Sequence, residues 1–141
     1  MNVSLSCDLQ REIFDQMEAS YPNEGGGFLL GNAQDGIVSV QDIMQVENTF
    51  AEEEQYHRYA MTPQDWMRLE DEADERGLSL IGYYHSHPDS LAIPSEYDRE
   101  HALPNFVYVI TSVMMAKATE MLVWRLRPDR SAFDGGTLSI T

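Results

Sequence analysis

Residues 78–88, Leu-Ser-Leu-Ile-Gly-Tyr-Tyr-His-Ser-His-Pro, narrow the folds open to this chain more than any other stretch. The run follows Gly77, a residue suited to ending a helix, and closes on a proline, which has no N–H for a sheet ladder. An apolar, aromatic-rich segment of this length between two breakers reads as a buried strand. Side chains alternate along a strand, so Ile81, Tyr83, His85 and His87 are expected on one face. The chain is therefore expected to carry two imidazoles to the C-terminal end of a central strand.

The flanking segments supply the rest of a layered fold. Leu9, Ile13 and Met17 recur at helical spacing between Ser6, a candidate cap, and Pro22. The sequence EGGGFLLGN, starting at Glu24, reads as a glycine-rich turn into a short apolar strand, and residues 36–49 as a longer strand. Residues 51–60 read as a loop or irregular edge. A second helix is predicted from Thr62-Pro63 to Gly77, with Trp66, Leu69 and Ala73 as its apolar stripe. A short helix is predicted to open at Pro94, then two strands, FVYVITSV and EMLVWRLR, and an edge strand, GGTLSI. The fold class is α/β (α+β), a single mixed β-sheet with flanking helices. At 141 residues one domain spanning 1–141 is expected.

The net charge of −15 argues against nucleic acid and anionic membrane surfaces, which need a basic face. The acidic runs Glu52–Glu54 and Glu70–Glu72, with Asp74 and Glu75, read as solvated surface. No apolar run approaches the ~18 residues of a membrane span, and MNVSLSCD has no signal-peptide pattern. One cysteine, Cys7, cannot form an internal disulfide, and the expected location is cytoplasmic.

Imidazoles at i and i+2 on a strand end can converge on one ion, although such pairs also occur as plain polar surface. Beyond the following loop, Ser95 and Asp98 are spaced to share one side of a helix start, and the loop can return Asp98 over the histidines. His85, His87 and Asp98 make three nitrogen and oxygen ligands, leaving one tetrahedral zinc position for water, as catalytic rather than structural sites do. Such chemistry also needs an oxyanion donor and a proton acceptor. Ser95 suits the first role. Glu24 suits the second, with small neighbours that would let a substrate backbone approach.

From His85 to Asp98 the sequence has the form His-x-His-Pro, six residues, Ser-x-x-Asp. That resembles the signature of the JAMM metalloproteases, the catalytically competent MPN domains. PNEGGGFLLG resembles the family's segment with the catalytic glutamate. VENT, MTPQDW and FVYVITSV…VWRL follow in the family's order, so the resemblance covers about Leu9 to Phe133. Three consecutive glycines depart from its pattern, which often has cysteine or another small residue where Gly26 stands.

The resemblance implies an MPN/JAMM-like sheet with cytidine-deaminase-like layering and one Zn2+ per chain on His85, His87 and Asp98. It further implies Glu24 as the base acting on water and Ser95 as the stabiliser of the tetrahedral intermediate. The implied activity is metallopeptidase or isopeptidase cleavage beside the C-terminal Gly-Gly of a ubiquitin-like protein. Because His101 is followed almost at once by a strand, the chain looks like minimal bacterial members that trim sulfur carriers. A non-cleaving MPN-type interaction module is the alternative, with deubiquitinase-like isopeptidases and cell-wall peptide hydrolases as further ones.

His57 and His101 read as exposed histidines, and Trp66 and Trp124 as core anchors. Tyr83 and Tyr84 are expected on opposite faces. Arg58, Tyr59 and Cys7 receive no role.

Overall fold

The computed structural model describes residues 1–46 and 63–141. Eight strands form one mixed sheet in the order β7-β6-β5-β4-β2-β3-β1-β8. They are β1 (Asn2–Leu5), β2 (Gly26–Gln34), β3 (Ile37–Val46), β4 (Ser79–Pro88), β5 (Val107–Met114), β6 (Lys117–Leu126), β7 (Phe133–Gly135) and β8 (Thr137–Ile140). Three helices accompany them: α1 (Cys7–Ser20), α2 (Pro63–Glu75) and α3 (Glu96–His101). The mixed sheet with flanking helices is the fold class the sequence predicts.

The helix boundaries have local causes. Ser6 Oγ accepts the Leu9 N–H at 3.0 Å and so caps α1, whose Ile13 and Met17 are fully buried. Gly77 has φ +71°, the left-handed conformation of a helix terminator, and the Leu78 N–H returns to the Ala73 carbonyl at 2.9 Å. Thr62, the expected cap of α2, lies outside the described residues, as do His57, Arg58, Tyr59, residues 51–60 and most of VENT.

Two elements escaped prediction. β1 and β7 are short, and β1 runs parallel to both β3 and β8, pairing the two ends of the sequence. Only Gly136 separates β7 on one sheet edge from β8 on the other, so the edges lie side by side and the sheet curls on itself. The Gly136 N–H reaches the Val123 carbonyl at 3.0 Å, and a β-carbon at Gly136 would meet Met1.

α1 covers one face of the sheet. There Leu5, Ile13, Met17, Leu29, Tyr84 and Val109 are buried together, and the Tyr84 hydroxyl donates to Gln16 Oε1 at 2.6 Å. On the other face Phe28, Tyr83, Tyr108 and Leu126 pack with Trp66 and Leu69 of α2 and with Ala102 just beyond α3. Tyr83 and Tyr84 thus take opposite faces, as expected.

Ile81 does not share a face with Tyr83. Leu29 pairs with Gly82 and Leu30 with Leu80, leaving Ile81 as the extra residue of a β-bulge. It packs with the α1-side core, while Leu80 joins Tyr83. Alternation resumes beyond the bulge, which fixes the face on which His85 and His87 emerge.

Among the described residues, no helix is long and apolar enough to cross a membrane. Leu29, fully buried at the centre of the α1-side core, is a sensitive test of this packing. Leu29→Ala is expected to destabilise the protein by about 2–5 kcal/mol, read from the urea midpoint at unchanged slope.

Candidate metal centre

β4 lies between antiparallel β2 and parallel β5, with Gly26 opposite His85 on one side and Ile110 on the other. It ends at Pro88, as expected. The loop that follows is held at nearly every residue. The Asp89 N–H donates to the Val113 carbonyl at 2.7 Å, and Asp89 Oδ1 accepts the Met115 N–H at 2.8 Å. The Ser90 carbonyl accepts from Ser112 Oγ at 2.5 Å, and that of Ala92, itself fully buried, from Trp124 Nε1 at 2.9 Å. Trp124 is thus a core anchor whose indole also fixes this loop.

Pro94 and Ser95 precede α3, which begins at Glu96, so the helix opens later than predicted. Ser95 is its cap rather than a member. Ser95 Oγ accepts the Asp98 N–H at 3.1 Å while Asp98 Oδ2 accepts the Ser95 N–H at 2.9 Å, a reciprocal capping box. This pair of bonds sets the Asp98 carboxylate at the helix start, facing the histidines.

Three side-chain atoms converge there. His85 Nε2 and His87 Nε2 lie 3.2 Å apart, and Asp98 Oδ2 is 3.4 Å from the first and 3.2 Å from the second. Ligands ~2.0–2.1 Å from a tetrahedral zinc would be spaced by about 3.3 Å, so the triangle has the dimensions of such a site. His87 Nδ1 lies 3.0 Å from the Leu91 carbonyl, which can only accept. That bond commits Nδ1 as a donor, so Nε2 is the atom that can give up its proton and turn a lone pair to a metal. His85 is 1% exposed, and packing fixes its ring.

The electrostatics agree with the geometry. Burial pushes the Asp98 carboxyl up, but the charge of His85 and hydrogen bonds from His85, His87 and the Ser95 backbone outweigh it, and the group lies well below its ordinary range. Burial would depress His87, yet the hydrogen bond and charge of Asp98, with the Leu91 carbonyl and Glu24 adding, hold it above its ordinary value. Both shifts express one demand, for positive charge between the three atoms. A divalent cation would meet it, and nitrogen and oxygen donors suit zinc and its neighbours in the series.

Glu24 and Ser95 border the same open cavity as His87, a space of about 520 Å³ also lined by Pro88, Ser90, Leu91 and Ile93. All five residues singled out from the sequence are thus brought to one place. Ser95 Oγ accepts from its own helix, which leaves its hydroxyl hydrogen available to a partner in the cavity. Leu91 and Ile93 were not singled out, and both project as exposed apolar side chains beside the mouth. Their signal was two large aliphatic side chains in a loop that otherwise has none.

The role expected for the glycines is corrected. A β-carbon at Gly25 would collide with Ser20, and one at Gly26 with the Tyr83 hydroxyl and the Tyr84 carbonyl. The room they leave is filled by the protein itself, not reserved for a substrate backbone. Gly26 starts β2 and is paired on both sides, to Val46 and His85. His101 is exposed and stacks on Tyr97 at 4.0 Å between centroids, outside the triangle. Cys7 is a free, exposed thiol at the start of α1.

The family described as prokaryotic homologs of the JAB domain matches residues 6–127. The chain belongs to that family. A desampylase from Haloferax volcanii is 34% identical to this JAB-domain chain over 115 residues, 78% of the chain and 80% of the archaeal protein. A protein from Salinibacter ruber, known from a solution structure, is 36% identical, with a TM-score of 0.75 over 100% of this chain and 92% of the other. A JAB1/MPN domain protein from Archaeoglobus fulgidus, 16% identical, shares the fold with a TM-score of 0.60, covering 100% of this chain and 99% of that one.

After zinc reconstitution and desalting, elemental analysis is expected to find one zinc per chain in the wild type and in Glu24→Gln, and none in His87→Ala. Protons compete for the same lone pairs, so zinc occupancy is expected to fall as pH is lowered from about 7 to about 5, followed by a chromogenic chelator.

Proposed function

We propose that the chain is a zinc-dependent hydrolase of the JAMM type. It cuts the peptide or isopeptide bond that follows the C-terminal Gly-Gly of a ubiquitin-like protein, with a sulfur carrier as the preferred substrate. The observation that carries this reading is the buried His85, His87 and Asp98 triangle, opening on a cavity shared with Glu24 and Ser95.

When bound by the three side chains, zinc supplies Lewis acidity, bringing a water's pKa to about 7 and polarising a carbonyl. Glu24 removes a proton from the attacking water as the new C–O bond forms. It then delivers that proton to the leaving amine as the C–N bond breaks, so no covalent enzyme intermediate is needed. Ser95, whose oxygen already accepts from the Asp98 N–H, donates its hydroxyl hydrogen to the developing oxyanion. Leu91 holds His87 in the tautomer that coordination needs.

The substrate class draws on the relative named desampylase and on the chain's own brevity near the site. Only residues 102–106 separate α3 from β5, so nothing there is long enough to grip a second folded protein. An extended Gly-Gly tail, having no side chains, suits a cleft that must bring backbone close to buried ligands. We take residues 1–141 as one catalytic domain acting in the cytoplasm.

The test is mass spectrometry of a sulfur-carrier protein extended by a short tag beyond its Gly-Gly. Zinc-loaded wild type is expected to release the tag at the Gly-Gly boundary. Ser95→Ala is expected to lower kcat by about 10²–10³, and Glu24→Gln to abolish release with zinc retained. An intact carrier after incubation with fully loaded wild type would overturn this substrate.

A further inference from the structure

Ser86 stands between the two histidines and, by strand alternation, points to the opposite face. It is fully buried. Its N–H donates to the Gly25 carbonyl at 3.0 Å, and its Oγ accepts the Gly25 N–H at 2.9 Å. In a regular antiparallel pair the Gly25 N–H would go to the Ser86 carbonyl. Here the hydroxyl takes it, and the ladder ends, since Gly26 is the first residue of β2. The residue just before Gly25 is Glu24.

The chain is caught again three residues earlier. The Tyr21 hydroxyl donates to Asp89 Oδ2 at 2.6 Å. Asp89 is itself anchored to the β5–β6 turn through Met115 and to β5 through Val113. The short segment bearing Glu24 is therefore fastened at both ends, to Ser86 between the two histidines and to Asp89 two residues beyond His87. An α-carbon one residue from a fixed backbone unit has few positions open to it.

We propose that Ser86 is a positioning residue for Glu24, with the Tyr21–Asp89 bond as an outer tether. The strand that presents the metal ligands on one face thereby sets the place of the proton acceptor from its other face. The catalytic part rests on the hydrolase reading above, whereas the tether itself does not. Carboxylate placement governs proton transfer far more than substrate binding, so loss of the hydroxyl separates kcat from KM.

The experiment compares wild type with Ser86→Ala. In the metal-free protein, hydrogen exchange by NMR is expected to show the Gly25 amide losing about tenfold or more protection, with Val109 and Ile110 unchanged. In the zinc-loaded protein, zinc content stays at one per chain, kcat on the tagged carrier falls by about 10–100-fold, and KM changes by less than about threefold. Unchanged Gly25 protection, or kcat within twofold of wild type, overturns the proposal. Loss of zinc or of protection throughout β5 also overturns it, because Ser86 would then serve the ligands or the fold. If wild type cleaves nothing, the hydrolase reading fails and the exchange data alone decide the tether. Should Ser86→Ala not fold, Tyr21→Phe is used, and kcat unchanged within twofold at full zinc content overturns the proposal.

Discussion

Everything at the site depends on how β4 is paired. With β2 antiparallel on one side and β5 parallel on the other, its backbone groups are engaged over its length, and its register cannot slip without inverting every side chain. The bulge at Ile81 sets which face is which. Upstream of it Leu80 and Ile81 serve the two cores. Downstream, Tyr83, His85 and His87 fall on the side covered by α2 and α3, and Tyr84 and Ser86 on the side of α1. One inserted residue thus decides that two imidazoles meet the Asp98 carboxylate rather than the core around Met17.

The loop between β4 and α3 carries the second requirement, that Asp98 return to within hydrogen-bond distance of both histidines. Its backbone is bonded at Asp89, Ser90, Leu91 and Ala92, so the return path is rigid before any ion arrives. One of these bonds does two things at once. The Leu91 carbonyl that anchors the loop also selects the His87 tautomer. Preorganisation of this kind lowers the ordering cost that a metal would otherwise have to offset.

Much of this was legible from residue types. The Ser6 cap, the Gly77 stop, the strand ending on Pro88 and the Ser95–Asp98 pair each follow from local chemistry that a few neighbours determine. β1 was not legible, because Val3 and Leu5 alone make a weak pattern, and the strand exists through pairing with β3 and β8 far along the chain. Ile81 was misplaced for a related reason: a bulge is decided by two strands in register, and one sequence run shows only its own period. The glycines after Glu24 misled because a missing side chain does not say whose atoms fill the space. Tyr83, Tyr84 and Ser20 do, and the departure from the family's pattern at Gly26 is a packing solution.

That solution bears on how a carboxylate can be both mobile enough to accept a proton and fixed enough to find it. Glu24 sits half-buried just before β2, next to Gly25, which Ser86 holds. A bulkier residue at Gly25 would push Ser20 aside and move the very backbone unit that carries the tether. A position inside the strand would aim the carboxylate along the fixed pleat. A position further out would give it the freedom of an exposed loop, with many rotamers and few near the metal triangle. Just before the strand a side chain keeps its own torsions while the backbone beside it stays in place, and the Gly25–Ser86 bond gives Glu24 that neighbour.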